Sequence, residues 1–203
     1  MKELAGIDVS RETIDRLNQL ESIVLKWNPN INLIAKSTVD NIWVRHILDS
    51  AQLFQYAQPN VSTWLDIGSG GGFPGIVMAA MSVGLSYKTD FIFVESDQRK
   101  AAFLRAAVRE LDLKVTILAE RIEEISPQNA EVITARALKS VTELLPMLGR
   151  HLAPDGVAIL PKGRTFADEI FVARQNWQFS MSEQISITDV DACILIVKDI
   201  THD

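Results

Sequence analysis

The sequence predicts an α/β fold, a mostly parallel seven-stranded sheet with an antiparallel C-terminal hairpin and an N-terminal helical cap. Three observations predict it. From Ser62 onward short apolar runs alternate with stretches of helical periodicity, the pattern of βαβ units. A glycine-rich stretch, Leu65 to Gly75, sits where the first of those runs gives way to a helical pattern. Near the end, Ile185–Ile187 and Ala192–Lys198 are separated only by a short polar turn, which leaves no room for a crossover helix and forces antiparallel pairing.

Each element follows from its residues. Ser10 can cap a helix to about Lys26 that carries Ile14, Leu17, Leu20, Ile23, Val24 and Trp27 on one face, and Asn28-Pro29-Asn30 breaks it. Ser37-x-x-Asp40 has the form of a capping box and opens a second helix through Ile42, Trp43, Ile47, Leu48, Ala51 and Phe54. Strands are expected near 63–67, 91–95, 115–118, 131–135 and 156–160, and helices over 74–83, 97–111, 140–152 and 165–175. The expected organisation is one domain over 1–203, with 1–60 as the cap and 61–203 as the core.

Composition narrows the function. A chain of 203 residues with 47% hydrophobic content can bury one substantial core. Cys193, the single cysteine, lies in the apolar run Ala192–Val197 and reads as a small buried side chain, so no disulfide framework exists. The three histidines are far apart in sequence and give no metal-site spacing. Met1–Ser10 lacks a long apolar core and no apolar run is long enough to span a bilayer, so a cytoplasmic location and no membrane partner are expected. The net charge of −6 counts against indiscriminate coating of nucleic acid. Even so, Arg99, Lys100, Arg121, Arg136, Lys139, Lys162 and Arg164 recur beside the ligand-side loops, as a positive rim would.

The glycine stretch reads as a nucleotide-cofactor loop, because glycine lets the backbone turn tightly and a ligand approach it closely. Gly70, Gly72 and Gly75 satisfy the dinucleotide pattern G-x-G-x-x-G, which leaves an NAD-type oxidoreductase open. Asp66, at the mouth of the loop, tips the balance: a carboxylate repels a pyrophosphate and suits the ammonium and sulfonium of S-adenosylmethionine. Glu95 ends the second core strand about 20 residues beyond the glycines, where an acid accepts ribose hydroxyls. Ile122 can pack on an adenine face, and Glu123 or a nearby backbone amide can meet its edge. Arg136, just past the fourth core strand, either pairs with Asp66 or Glu123 or holds an anionic substrate. The polar-Pro-Pro-aromatic motif of many exocyclic-amine methyltransferases is missing at that strand end.

The parallel sheet with its terminal hairpin matches class I, Rossmann-like methyltransferases dependent on S-adenosylmethionine. More closely, nearly the whole chain resembles the bacterial 16S ribosomal RNA guanine-N7 methyltransferases known as methyltransferase G or glucose-inhibited division protein B. The resemblance rests on Trp27-Asn28 with Asn32-Leu33, on Val44 to Ser50, on Gly68 to Gly75, on Thr134 to Ala137 and on Lys162-Gly163, the Arg45-His46-Ile47-Leu48-Asp49-Ser50 string being most specific. It implies methyl transfer from S-adenosylmethionine to a guanine N7 in small-subunit RNA, with Gly68, Phe73, Ile122, Glu123 and Arg136 at positions of family cofactor contacts. The chain departs from the family at Glu95, where Asp is common, at Gly71-Gly72, and at Pro161.

Guanine N7 carries an exposed lone pair, so the expected chemistry is alignment without a general base. His46 is then a helix-border residue docking the cap, Arg45 and Asp49 pair along one helical face, and Asn32, His46 and Asp49 shape the acceptor pocket. Arg136 positions, and Lys162 and Arg164, with Lys100, Arg121 and Lys139 on the same rim, contact phosphates. The expected partner is 16S RNA in the small ribosomal subunit or an assembly intermediate, met by a monomer. Besides the oxidoreductase, two alternatives are a binding module with a vestigial loop and a methyltransferase with a protein or small-molecule acceptor.

Overall fold

The computed structural model describes residues 2–202. It opens with a hairpin that the sequence reading passed over, β1 (Lys2–Leu4) and β2 (Ile7–Val9), turned by Ala5 and Gly6 at positive φ. Helix α1 (Arg11–Ile31) is capped by Ser10, whose Oγ accepts from the Thr13 amide at 3.1 Å. It runs five residues past the expected stop because Pro29 removes one bond, to the carbonyl of exposed Leu25. The stop is Asn32, in the left-handed conformation.

The second expected helix is not a regular one. Residues 36–56 form a 3-10 turn (Lys36–Asn41), a π-helical turn (Trp43–Leu48), the short α2 (Asp49–Ala51) and a second 3-10 turn (Gln52–Tyr56). The Ser37 capping box does not form, since the first turn starts from Ala35 without a side-chain cap.

The core then alternates as expected: β3 (Thr63–Ile67), α3 (Gly75–Gly84), β4 (Asp90–Val94), α4 (Gln98–Glu110), β5 (Val115–Leu118), β6 (Ala130–Ala135), α5 (Val141–His151), β7 (Leu152–Lys162) and α6 (Phe166–Ala173). Asp97 caps α4, and Ser140 with Glu143 forms a capping box on α5. The terminal hairpin pairs β8 (Trp177–Ile185) with β9 (Cys193–His202), so Ser186–Ile187 belong to the connecting loop. The first hairpin strand, expected at Ile185–Ile187, instead runs over Trp177–Ile185, because it is a largely exposed edge strand whose polar residues break the apolar run.

Strand order is β5-β4-β3-β6-β7-β9-β8, parallel except for β9 against both neighbours. The order reverses between β3 and β6, which opens a crevice outside their carboxyl ends. One face of the sheet packs against α3, α4 and the N-terminal segment, and the other against α5 and α6. The cap is joined to the α4 side of the core, where Arg16 of α1 donates to the Leu111 carbonyl at 2.9 Å, just beyond α4. Tyr87, Phe54, Trp64 and Phe91 stack in sequence, with centroids 5.7–6.1 Å apart, and tie the 36–56 segment to β3 and β4. No described helix is long and apolar enough to cross a membrane.

A methyl at Gly75 would lie 2.7 Å from both Asp66 Oδ2 and the Phe93 ring. Gly75→Ala should therefore cost about 1–3 kcal/mol, read as a lowered urea midpoint at unchanged slope.

Candidate functional site

The crevice holds two cavities, of about 820 Å³ and 230 Å³, that share Gly68, Gly70, Lys100 and the Ala137–Lys139 turn in their walls. The loop between β3 and α3 makes the floor. Gly68, Gly70 and Gly72 all have positive φ, a conformation that L side chains resist, and the Gly68 and Ser69 amides both donate to the Val94 carbonyl.

The smaller cavity has apolar walls, Ile67, Val94, Ile122, Leu138 and Met147, with Glu95 and Glu123 at its polar edge. Glu95 is 8% exposed; its Oε2 accepts from the Gly70 amide and its Oε1 from the Asp97 amide, each at 2.8 Å. Each oxygen keeps a lone pair for a diol, so the loop, Glu95 and Ile122 fit an adenosyl group. Glu123 is held loosely, 3.8 Å from both Arg121 and Lys139. Arg121 thus belongs to this small cavity and not to the acceptor side where the sequence reading put it.

Asp66 is not at the loop mouth. It lies beneath the glycines, 1% exposed, and lines neither cavity. Trp64 Nε1–H donates to Thr134 Oγ1 at 3.1 Å and Thr134 donates to Asp66 Oδ1 at 2.6 Å, while Oδ2 has no hydrogen-bond partner. Burial pushes the carboxyl up to about 6, against the hydroxyls of Thr134 and Ser69, the charge of Arg136 and the Gly75 amide, which lies close without reaching hydrogen-bond geometry.

The larger cavity is built around a clasp that joins three remote segments. Arg136, past β6, donates to Asp49 Oδ2 at 3.2 Å, to the Arg45 carbonyl at 3.3 Å and to His46 Nδ1 at 2.8 Å, with its guanidinium 5.4 Å from the Phe73 ring centroid. Its partner is therefore Asp49, not Asp66 or Glu123. Burial lowers the Arg136 pKa while Asp49 and Asp66 pull it back, and the group stays charged. Because a guanidinium only donates, His46 Nδ1 must accept, and the proton sits on Nε2, donating to Thr38 Oγ1 at 2.8 Å. Burial, then Arg136 and Arg45, lower His46 to about 4, so it is neutral.

The π-helical turn over Trp43–Leu48 shifts the expected Arg45–Asp49 spacing, and Arg45 instead reaches Asp189 at 2.9 Å. Asp49 Oδ1 accepts from Thr188 and, at 3.0 Å, from Gln52, which is fully buried, donates to Ser186 Oγ and accepts from the Ile187 amide. The loop between β8 and β9 is thereby fixed over the cavity. Asn32 lines neither cavity; it is the cap of α1, and its neighbours Leu33 and Ile34 reach the wall.

Lys162 lines the large cavity, but its ammonium is spent on the Lys139 carbonyl and Glu169 Oε2, both at 2.8 Å, with 9% of the side chain exposed. Burial raises Glu169, yet Lys162 outweighs it and holds the carboxyl below the usual range. A cation so engaged braces the cavity wall. Arg164 lies outside both cavities in an exposed pair with Asp191 at 2.6 Å. Lys100 lines both cavities, and its ammonium is in no ion pair among the described residues. Burial, with Glu183 and Glu169, pushes the Cys193 thiol to about 12, which makes it inert. The described residues hold no cluster of His, Cys, Asp and Glu suited to a metal. Sequence reading missed Thr38, Gln52, Thr134, Glu169, Ser186, Thr188 and Asp189, none of which carries a local signal.

Residues 13–195 match the family described as rRNA small subunit methyltransferase G. A ribosomal RNA small subunit methyltransferase G of Cereibacter sphaeroides is 51% identical over 98% of this chain and 97% of its own length. The protein of that name from Paracoccus denitrificans is 45% identical over 97% of this chain and all of its own length. Among solved structures, a SAM-dependent methyltransferase from Aquifex aeolicus superposes with a TM-score of 0.61 at 14% identity, covering 87% of this chain and 96% of that one. A TehB-like SAM-dependent methyltransferase from Corynebacterium glutamicum gives 0.59 at 16% identity, over 90% and 98%. These likenesses show the fold.

A buried carboxyl and a half-buried imidazole give opposite pH dependences. Asp66 has a folded pKa of about 6 against 3.8, so its stabilisation is complete below about pH 4 and up to about 3 kcal/mol is lost as pH rises through 6. His46, at about 4 against 6.5, loses stability as pH falls through that same window. Urea unfolding of Asp66→Asn should therefore show stability rising more steeply from about pH 4 to 6 than in the parent, and His46→Gln a decline. Parallel curves for parent and Asp66→Asn would exclude the buried carboxyl.

Proposed function

The chain belongs to the rRNA small subunit methyltransferase G family, and from that premise we propose that it methylates N7 of a guanine in small-subunit (16S) ribosomal RNA, by positioning alone. Membership makes it a methyltransferase dependent on S-adenosylmethionine and sets the oxidoreductase alternative aside. When bound, the cofactor supplies a methyl group on an electrophilic sulfonium. The loop amides, Glu95, Ile122 and Glu123 hold its adenosyl part, and Phe73 and the Arg136 clasp border the space where the acceptor meets it.

One observation carries the N7 reading: the clasp at the centre of the large cavity leaves no free base. Both His46 nitrogens are engaged, Asp49 is shared among Arg136, Gln52 and Thr188, Glu169 is taken by Lys162 and the Val141 amide, and the Cys193 thiol stays protonated. An acceptor in that space must bring its own lone pair, as guanine N7 does. Alignment of N7 with the departing sulfur supplies the rate, up to about 7–11 kcal/mol in the best cases. A stacked guanine cannot enter, so the base is taken from a loop or swung out of its helix, in the small subunit or an assembly intermediate.

Mapping N7-methylguanosine in small-subunit RNA from cells with and without the gene tests this directly, with loss of one mark expected on deletion. Purified enzyme should show kcat flat from about pH 6.5 to 9, since no base titrates. His46→Gln, which can still accept from Arg136 and donate to Thr38, should keep most activity, whereas His46→Ala should lower kcat/KM for RNA about 10- to 100-fold by loosening the clasp. Lys100→Ala should make the salt dependence shallower by about one unit of slope, and Lys162→Ala should leave the slope unchanged while lowering stability.

A further inference from the structure

The smaller cavity depends on a segment without regular structure. Residues 119–129 link β5 to β6, and Ile122 in that link supplies the wall opposite the glycine loop. Three side chains from outside the link are hydrogen-bonded to its carbonyls. Gln98 holds Ala119 at 2.9 Å, Arg150 holds Ile125 at 2.9 Å, and His151 holds Ile122 at 3.1 Å. Of the three residues held, only Ile122 lines the cavity, beside Glu120, Arg121 and Glu123. His151 ends α5 one turn beyond Met147, which lines the same cavity, so one helix face both contributes to the pocket and fixes its wall.

The chemistry of His151 shows what the residue costs the fold. A carbonyl only accepts, so the proton is on Nε2; the ring is fully buried and Nδ1 has no hydrogen-bond partner. Burial, with Arg150 nearby, lowers its pKa and keeps the ring neutral, so Nδ1 stays an acceptor with nothing to accept. An apolar side chain of similar size would remove the orphaned nitrogen but leave the Ile122 carbonyl without its donor, an exchange close to neutral for stability.

We propose that His151 is a positioning residue for the cofactor: its Nε2–H···O=C bond fixes Ile122 against the adenine face and sets the affinity for S-adenosylmethionine. The proposal rests on the cofactor reading of the smaller cavity. Positioning then acts on binding, because the link touches the adenosyl end and not the acceptor space around Arg136.

The test is calorimetric titration of the full chain with S-adenosylhomocysteine, with thermal unfolding, for the parent, His151→Leu and His151→Gln. His151→Leu should unfold within a few degrees of the parent while its Kd rises about tenfold; KM for S-adenosylmethionine should rise likewise and kcat at saturation change less than threefold. His151→Gln, whose amide can donate to the same carbonyl, should bind within about threefold of the parent. If the parent itself does not bind, the cofactor reading fails. If the parent binds and His151→Leu binds equally well, or if both variants lose stability and affinity together, the positioning role is overturned while that reading stands.

Discussion

The pairing of Arg136 with Asp49 is the interaction on which the functional cavity depends. Arg136 sits past β6, in the core sheet; Asp49 starts a single turn of helix in the N-terminal segment; and the other oxygen of Asp49 holds Thr188, between the two strands of the terminal hairpin. The pair is largely withdrawn from water, with side chains 16% and 20% exposed, so breaking it on one side leaves a buried charge uncompensated. His46 and Gln52 extend the clasp in both directions, to Thr38 and to Ser186. A cavity walled by three segments far apart in the chain keeps one shape because these few polar bonds agree.

The same clasp explains the character of the chemistry. Groups that in another enzyme would accept a proton are here occupied in holding the walls, and the reaction left to them is one that needs none. The irregular run over residues 36–56 is part of this arrangement: a regular helix would set Arg45 and Asp49 side by side, whereas the π-helical turn sends Arg45 to Asp189 and frees Asp49 for Arg136. Asp66 plays a different part from the one its position in the loop suggests. It is the end of a buried chain from Trp64 through Thr134, and its unpaired oxygen lies against the start of α3, so it shapes the loop from below.

The βαβ core was legible because each signal is local. Asp97 and Ser140 cap the helices they precede, the apolar runs become strands within a residue or so except β7, which runs longer at both ends, and β9, which continues to His202, and Glu95 falls at the end of β4 facing the glycine loop. The elements missed or misplaced lack such signals. β8 alternates polar residues along an exposed edge, and the 36–56 run satisfies a helical period that the packing of Phe54 on Trp64 and the pull of Arg136 override. Lys162 looked like a free cation because nothing nearby in sequence marks Glu169, seven residues on, as its partner.

The sequence by itself determined the alternation of strands and helices, the glycine turn, the acid beside it and the family, since all of these are carried by residue types at short spacings. Which cation meets which carboxylate, which histidine nitrogen bears the proton and which lysine remains free were decided only by the tertiary structure. The bonds that tie the clasp to Arg136 and to the terminal hairpin join residues 87 to 144 positions apart, and their energies depend on burial that no single segment possesses until the others have closed around it.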